Sequence, residues 1–137
     1  MGSGLAECRI AGECGFHWWQ ARQLTELLEL GLELGRLEEG EEAGREALRV
    51  STAIEDPLNT LWTLAGFARV ALTRGELERA GRIWGAVMSE ERTVLSTPGF
   101  GEFAAPLAGM TEPAFLSGLA VGRDDGLEAA VELALAT

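Results

Sequence analysis

The chain has 137 residues, enough for one domain with a real core, and at 47% hydrophobic and 24% charged it is not composed like a disordered chain. Its net charge of −11 repels a phosphate backbone, which excludes direct nucleic-acid binding as the expected role. Tyr is absent, Val and Ile are sparse, and Ala, Leu, Glu, Arg and Gly dominate, a mix that favours helices over strands.

No apolar run approaches a membrane span. The opening MGSGLAECRI lacks a basic stretch followed by an apolar block, so no signal peptide is expected. The expected address is the cytoplasm, where the two cysteines stay reduced.

In chain order, residues 1–15 form an N-terminal segment rich in small residues. Residues 16–34 carry a helical period in which Trp19, Leu24, Leu27, Leu28, Gly31 and Leu34 share a face. Gly35-Arg36-Leu37 makes a turn. A second helix over 38–54 turns Ala43, Ala47, Val50 and Ile54 inward, with Glu41 and Arg45 at the favourable four-residue spacing. Asp56-Pro57 starts the next helix, because Pro suits a first helical turn. There Leu61, Leu64, Phe67, Ala68, Ala71 and Leu72 recur at three- and four-residue steps. Gly75 ends that run, and Leu77, Ala80, Trp84 and Val87 begin another.

The two halves repeat. Gly35-Arg36-Leu37-Glu38 returns forty positions later as Gly75-Glu76-Leu77-Glu78, and Leu24, Leu27 and Leu32 return as Leu64, Phe67 and Leu72. Gly40 and Gly44, then Gly81 and Gly85, sit one turn apart inside the second helices. Such glycines cost about 1 kcal/mol each relative to Ala and are read as sites of close helix approach.

Ser96-Thr97-Pro98-Gly99 reads as a loop. Beyond it the pattern predicts a short helix over Phe103–Met110 interrupted by Pro106. A second runs from Glu112 to Val121, with Thr111 as N-cap and Pro113 near its start. After a Gly122–Gly126 turn, a last helix over Leu127–Ala136 turns Leu127, Ala130, Val131 and Ala134 to one side.

Phe67-Ala68-Arg69-Val70-Ala71-Leu72, Gly75, Glu78-Arg79-Ala80 and Arg82-Ile83-Trp84-Gly85-Ala86 resemble a signature near the C-terminus of large bacterial regulators. Those proteins combine a LuxR-type or related helix-turn-helix, a nucleotide-binding ATPase core and a tetratricopeptide-like tail. Val121-Gly122-Arg123 followed by Leu127–Leu135 resembles the way the family ends. The likeness covers roughly residues 45–137. It implies a tetratricopeptide-like tail that acts in sensing and protein interaction. The chain departs from the rest of the family: it has no G-x-x-x-x-G-K-[ST] motif, no Lys at all and no basic recognition helix. ATP and DNA binding therefore do not carry over.

One cluster carries candidate chemistry. The single His and both Cys fall within ten residues, as Cys8, Cys14 and His17. Thiolate and imidazole are preferred zinc ligands, and Cys14 and His17 share a helix face if the first helix begins near Glu13. Three ligands leave a fourth position for water, and Glu7 or Glu13 would either fill that position or act as general base. The same residues also read as a Cys–His nucleophile pair, or as packing side chains. Glu26, Glu29 and Glu33 form an acidic stripe, read as a solvated face or a collector of cations. Trp18, Trp62 and Trp84 read as packing residues or as the lining of an apolar groove. With no G-x-S-x-G and no second His, a serine triad is excluded.

The sequence thus predicts an all-α, tetratricopeptide-like (TPR-like) domain over 16–137, with hairpins at 16–54 and 57–92 and capping helices over 101–137. The expected function is a protein- or small-ligand-interaction module. The alternative is a small zinc-dependent hydrolase using Cys8, Cys14 and His17. Two repeats are fewer than a solenoid usually needs to bury its faces, so a homodimer through the open Trp18–Trp19 end is expected.

Overall fold

The structure is a computed structural model that describes residues 11–90 and 98–136. It is all-α. Seven helices run through the described residues: α1 (Ala11–Leu34), α2 (Leu37–Ala53), α3 (Pro57–Thr73), α4 (Leu77–Ser89), α5 (Phe100–Ala108), α6 (Pro113–Asp125) and α7 (Leu127–Leu135). The expected end of the second hairpin at 92 and the loop residues Ser96 and Thr97 lie outside the described residues. The chain divides into two compact units, Met1–Thr63 and Leu64–Thr137, so α3 contributes to each.

The repeated turns close in the same way. Gly35 and Gly75 both take positive φ, 76° and 80°. The next amide reaches back five residues in each case: Arg36 N–H donates to Gly31 C=O and Glu76 N–H to Ala71 C=O, both at 2.8 Å. This is the glycine-dependent Schellman closure, which satisfies carbonyls that a helix end leaves open. The α2–α3 turn has the same bond, Asp56 N–H to Ser51 C=O at 2.8 Å, but its left-handed residue is Glu55 at φ 55°. A side chain there costs about 1–2 kcal/mol that Gly avoids. Because Gly also costs backbone entropy, Glu55→Gly should stabilise the chain by a net ~0.5–1 kcal/mol. A urea midpoint that falls in the variant would contradict this.

In the first unit α1 packs along α2. Leu28, Ala47, Leu48 and Leu61 are buried, and Gly31 faces Gly40 so closely that a methyl on Gly31 would lie 2.9 Å from the Gly40 Cα. Four buried hydroxyls are paired across helices. Thr25 Oγ1 lies 2.8 Å from Thr63 Oγ1, and Thr60 Oγ1 lies 2.9 Å from Ser51 Oγ. Asp56 opens α3 by accepting from Asn59 Nδ2 at 2.7 Å and from the Asn59 amide at 3.4 Å.

The inward face of α1 differs from the expected one. Leu28 and Gly31 are buried, but Trp19, Leu27 and Leu34 are more than half exposed. Ala21 and Thr25 take the buried places. The face with small residues wins because it allows the Gly31–Gly40 approach and the Thr25–Thr63 contact. The helix also starts earlier than expected, at Ala11, through Gly12 and Gly15. A glycine weakens an elongating helix by about 1 kcal/mol without having to stop it.

In the second unit α4 and α6 pack most extensively, and they run parallel. Gly81 and Gly85 receive the backbone of Phe115 and Leu119, while Gly118 and Gly122 receive that of Glu78 and Arg82. Each missing side chain thus admits a carbonyl of the other helix, a small-x-x-x-small contact built from both sides. Trp84 is 3% exposed and stacks on Phe100, with ring centroids 6.2 Å apart and planes 22° apart. Arg79 Nη2 donates to Leu133 C=O at 3.0 Å near the end of α7, a favourable place for a cation.

Two boundaries move relative to the pattern. The helix expected at Phe103–Met110 runs unbroken from Phe100 to Ala108, with Pro106 inside it. Gly99 at φ 89° sets its start, and Phe103 N–H donates to Gly99 C=O at 3.1 Å. Pro106 and Glu102 are both exposed, so water can serve the Glu102 carbonyl that the proline cannot bond. The next helix begins at Pro113 with Glu112, not Thr111, as N-cap, and continues to Asp125 through the expected turn glycine Gly122. That glycine is drawn into the helix by its contact with Arg82.

Candidate functional site

The predicted metal residues fall at the start of α1. Cys8 and Glu7 lie outside the described residues, as do the side chains of Glu13 and Cys14. The backbone places Cys14 and His17 one helical turn apart on α1. His17 is half-buried, its Nδ1 lies 3.3 Å from Gln20 Oε1, and its ring meets Phe16 edge-on at 5.3 Å. Among the described residues no three His, Cys, Asp or Glu side chains are gathered closely enough to hold a metal.

The acidic stripe of α1 is not uniformly solvated. Arg22 reaches Glu26 at 3.6 Å and Glu29 at 3.9 Å, and its guanidinium lies 4.8 Å from the centre of the Trp62 ring. Burial pushes the Glu29 carboxyl above its ordinary value. The Arg22 charge and the neighbouring Trp62 indole N–H oppose that shift, and Glu26 and Glu33 reinforce it. A raised folded-state pKa means that Glu29 ionises more readily in the unfolded chain. Its contribution to stability is therefore present at acid pH and lost as the pH rises through the raised value. Relative to the native chain, Glu29→Gln should gain stability between about pH 4 and about pH 7. A constant difference in urea midpoint across that range would show that Glu29 is not held in this way.

Trp62 and Trp84 are both buried, whereas Trp19 is 60% exposed beside Trp18. In the second unit a groove of ≈ 330 Å³ opens beside Gly122, Ala129, Leu133 and Ala136. Two of its charged residues pair with each other, Arg82 Nη2 reaching Asp125 Oδ2 at 3.4 Å.

The most developed surface is the solvent side of α1. Phe16 is 66% exposed, Trp19 60%, Leu27 52%, Leu30 46% and Leu34 60%. On a helix of 3.6 residues per turn these five fall within about 80° of one another, on the side opposite Thr25. The sequence pattern put Trp19, Leu27 and Leu34 on one face with Leu28 and Gly31, took the Trp18–Trp19 end as open, and did not single out Phe16 or Leu30. The signal was present in the spacing: Phe16, Gln20, Gln23, Leu27, Leu30 and Leu34 step by four and three in strict alternation.

Among the described residues, no helix is long and apolar enough to cross a membrane. No family model, curated protein or solved structure matches this chain, so its chemistry is read from its own residues.

Proposed function

We propose that the chain is a TPR-like protein-interaction module, similar to the tail of a LuxR-type regulator, that does not itself bind nucleic acid. The observation that carries this reading is the row of five large apolar side chains on the solvent side of α1. Contiguous apolar surface of that size on a soluble helix marks a place where another protein docks. The identical closures at Gly35 and Gly75 support a repeat architecture. The net charge of −11 speaks against nucleic acid.

The test uses an apolar dye, anilinonaphthalene sulfonate, at sub-micromolar protein. The native chain should enhance its fluorescence, and Leu27→Glu with Leu30→Glu should remove most of the enhancement while the helical circular dichroism persists. Equal enhancement by both proteins would remove the docking reading.

The second reading is a small zinc-dependent hydrolase. It rests on Cys14 and His17 lying one turn apart on α1, with Cys8 as third ligand and Glu7 or Glu13 as base. Zinc requires thiolate and neutral imidazole, so acidification should release it. Elemental analysis of reduced protein at neutral pH should then find stoichiometric zinc, lost in Cys14→Ser and in His17→Ala. Protein that holds no metal and takes none up would remove this reading.

A further inference from the structure

We infer that the partner on the solvent side of α1 is a second copy of this chain, packed through a parallel pair of α1 helices. The inference rests on the interaction-module reading and names its partner.

The seam is periodic. Phe16, Gln20, Gln23, Leu27, Leu30 and Leu34 alternate steps of four and three, seven residues per pair of steps, the repeat of a two-helix seam. The row spans about 27 Å at 1.5 Å per residue. An identical helix supplies a row of the same length and spacing.

The area is sufficient. Five side chains between 46% and 66% exposed offer on the order of 500 Å² of apolar surface. With Gln20, Gln23 and the helix edges, two copies would bury roughly 1,200–1,600 Å² in total, within the range of stable interfaces.

Charge selects the orientation. Glu26 and Glu33 are exposed along one border of the row, and the opposite border carries His17 and Leu24, both half-buried, with Gly31 already packed on Gly40 of α2. In an antiparallel pair the acidic borders face each other. In a parallel pair each acidic border faces the partner's border without acids, as g positions face e positions in a two-stranded coil. The parallel pair also sets Gln20 and Gln23 against their own copies, and polar residues at seam positions fix register.

The full chain, examined by light scattering across about 1–100 µM, should reach twice its 14.6 kDa mass. Leu27→Glu with Leu30→Glu should weaken association by more than about 100-fold, because each copy would bury unpaired carboxylates. Gln23→Arg, at an exposed position, should weaken association without disturbing the packed side of α1 and serves if the double variant loses helix. Orientation is read by oxidation with Cys8→Ser and Cys14→Ser in place. Leu34→Cys should then crosslink to itself. A crosslink that forms only when Leu34→Cys is mixed with Phe16→Cys would overturn the parallel arrangement. A monomer at the highest concentration, or a dimer indifferent to these substitutions, would overturn the second copy as partner. If that monomer still loses dye binding in the double variant, the docking reading stands while this inference falls.

Discussion

Trp84→Ala should lower the free energy of unfolding by roughly 3–5 kcal/mol, the range for removing a large aromatic from a packed core. Trp84 is 3% exposed on α4, and Phe100 stacks on it at 6.2 Å. Truncation would open a cavity near Ile83 and Val87, both fully buried, and would remove the ring that stacks on Phe100. Backbone relaxation cannot fill that cavity easily, because α4 is already held against α6 by backbone contact at Gly81 and Gly85. Urea melts measure the effect. A loss below about 1 kcal/mol would mean that this site collapses around the deletion.

Gly122→Ala should destabilise the chain by roughly 1–3 kcal/mol or more, although Ala is the better helix former by about 1 kcal/mol. The sign follows from what the methyl meets. It would run into the Arg82 carbonyl oxygen and lie 2.7 Å from the carbonyl carbon. Both atoms belong to a helix backbone and cannot rotate away. Gly101 provides the opposite case on α5, since nothing lies within 4 Å of a methyl placed there. Gly101→Ala should therefore raise stability by about 0.5–1 kcal/mol. If both substitutions shift the melting temperature in the same direction, the α4–α6 contact is not as close as the backbone positions require.

Glycine spacing made one half of that contact legible. Gly81 and Gly85 stand one turn apart, which marks a site for a close neighbour but cannot name it. The neighbour, Gly118 and Gly122, lies some forty residues on, and Gly122 in the sequence looks like the start of a turn. Likewise Arg22, Glu29 and Trp62 form one electrostatic cluster only after α3 returns beside α1, so the depth of Glu29 had no local signature. The cluster of Cys8, Cys14 and His17 was legible because its members are neighbours in sequence. Its interpretation as a zinc site is a proposal, carried by the one-turn spacing of Cys14 and His17 on α1.

What the sequence determined by itself is local. Apolar periods of three and four residues specify the helices, and Gly35, Gly75 and Asp56-Pro57 specify their ends, because hydrogen bonds and dihedral preferences act within one or two turns. What only the tertiary structure decided is which side of a helix turns inward. Helix α1 is apolar on two sides, and hydrophobicity alone favours neither. The side carrying Ala21, Thr25, Leu28 and Gly31 is buried because it permits backbone approach at Gly40 and a hydroxyl contact at Thr63. The bulkier side, from Phe16 to Leu34, cannot be brought so close and is left facing solvent.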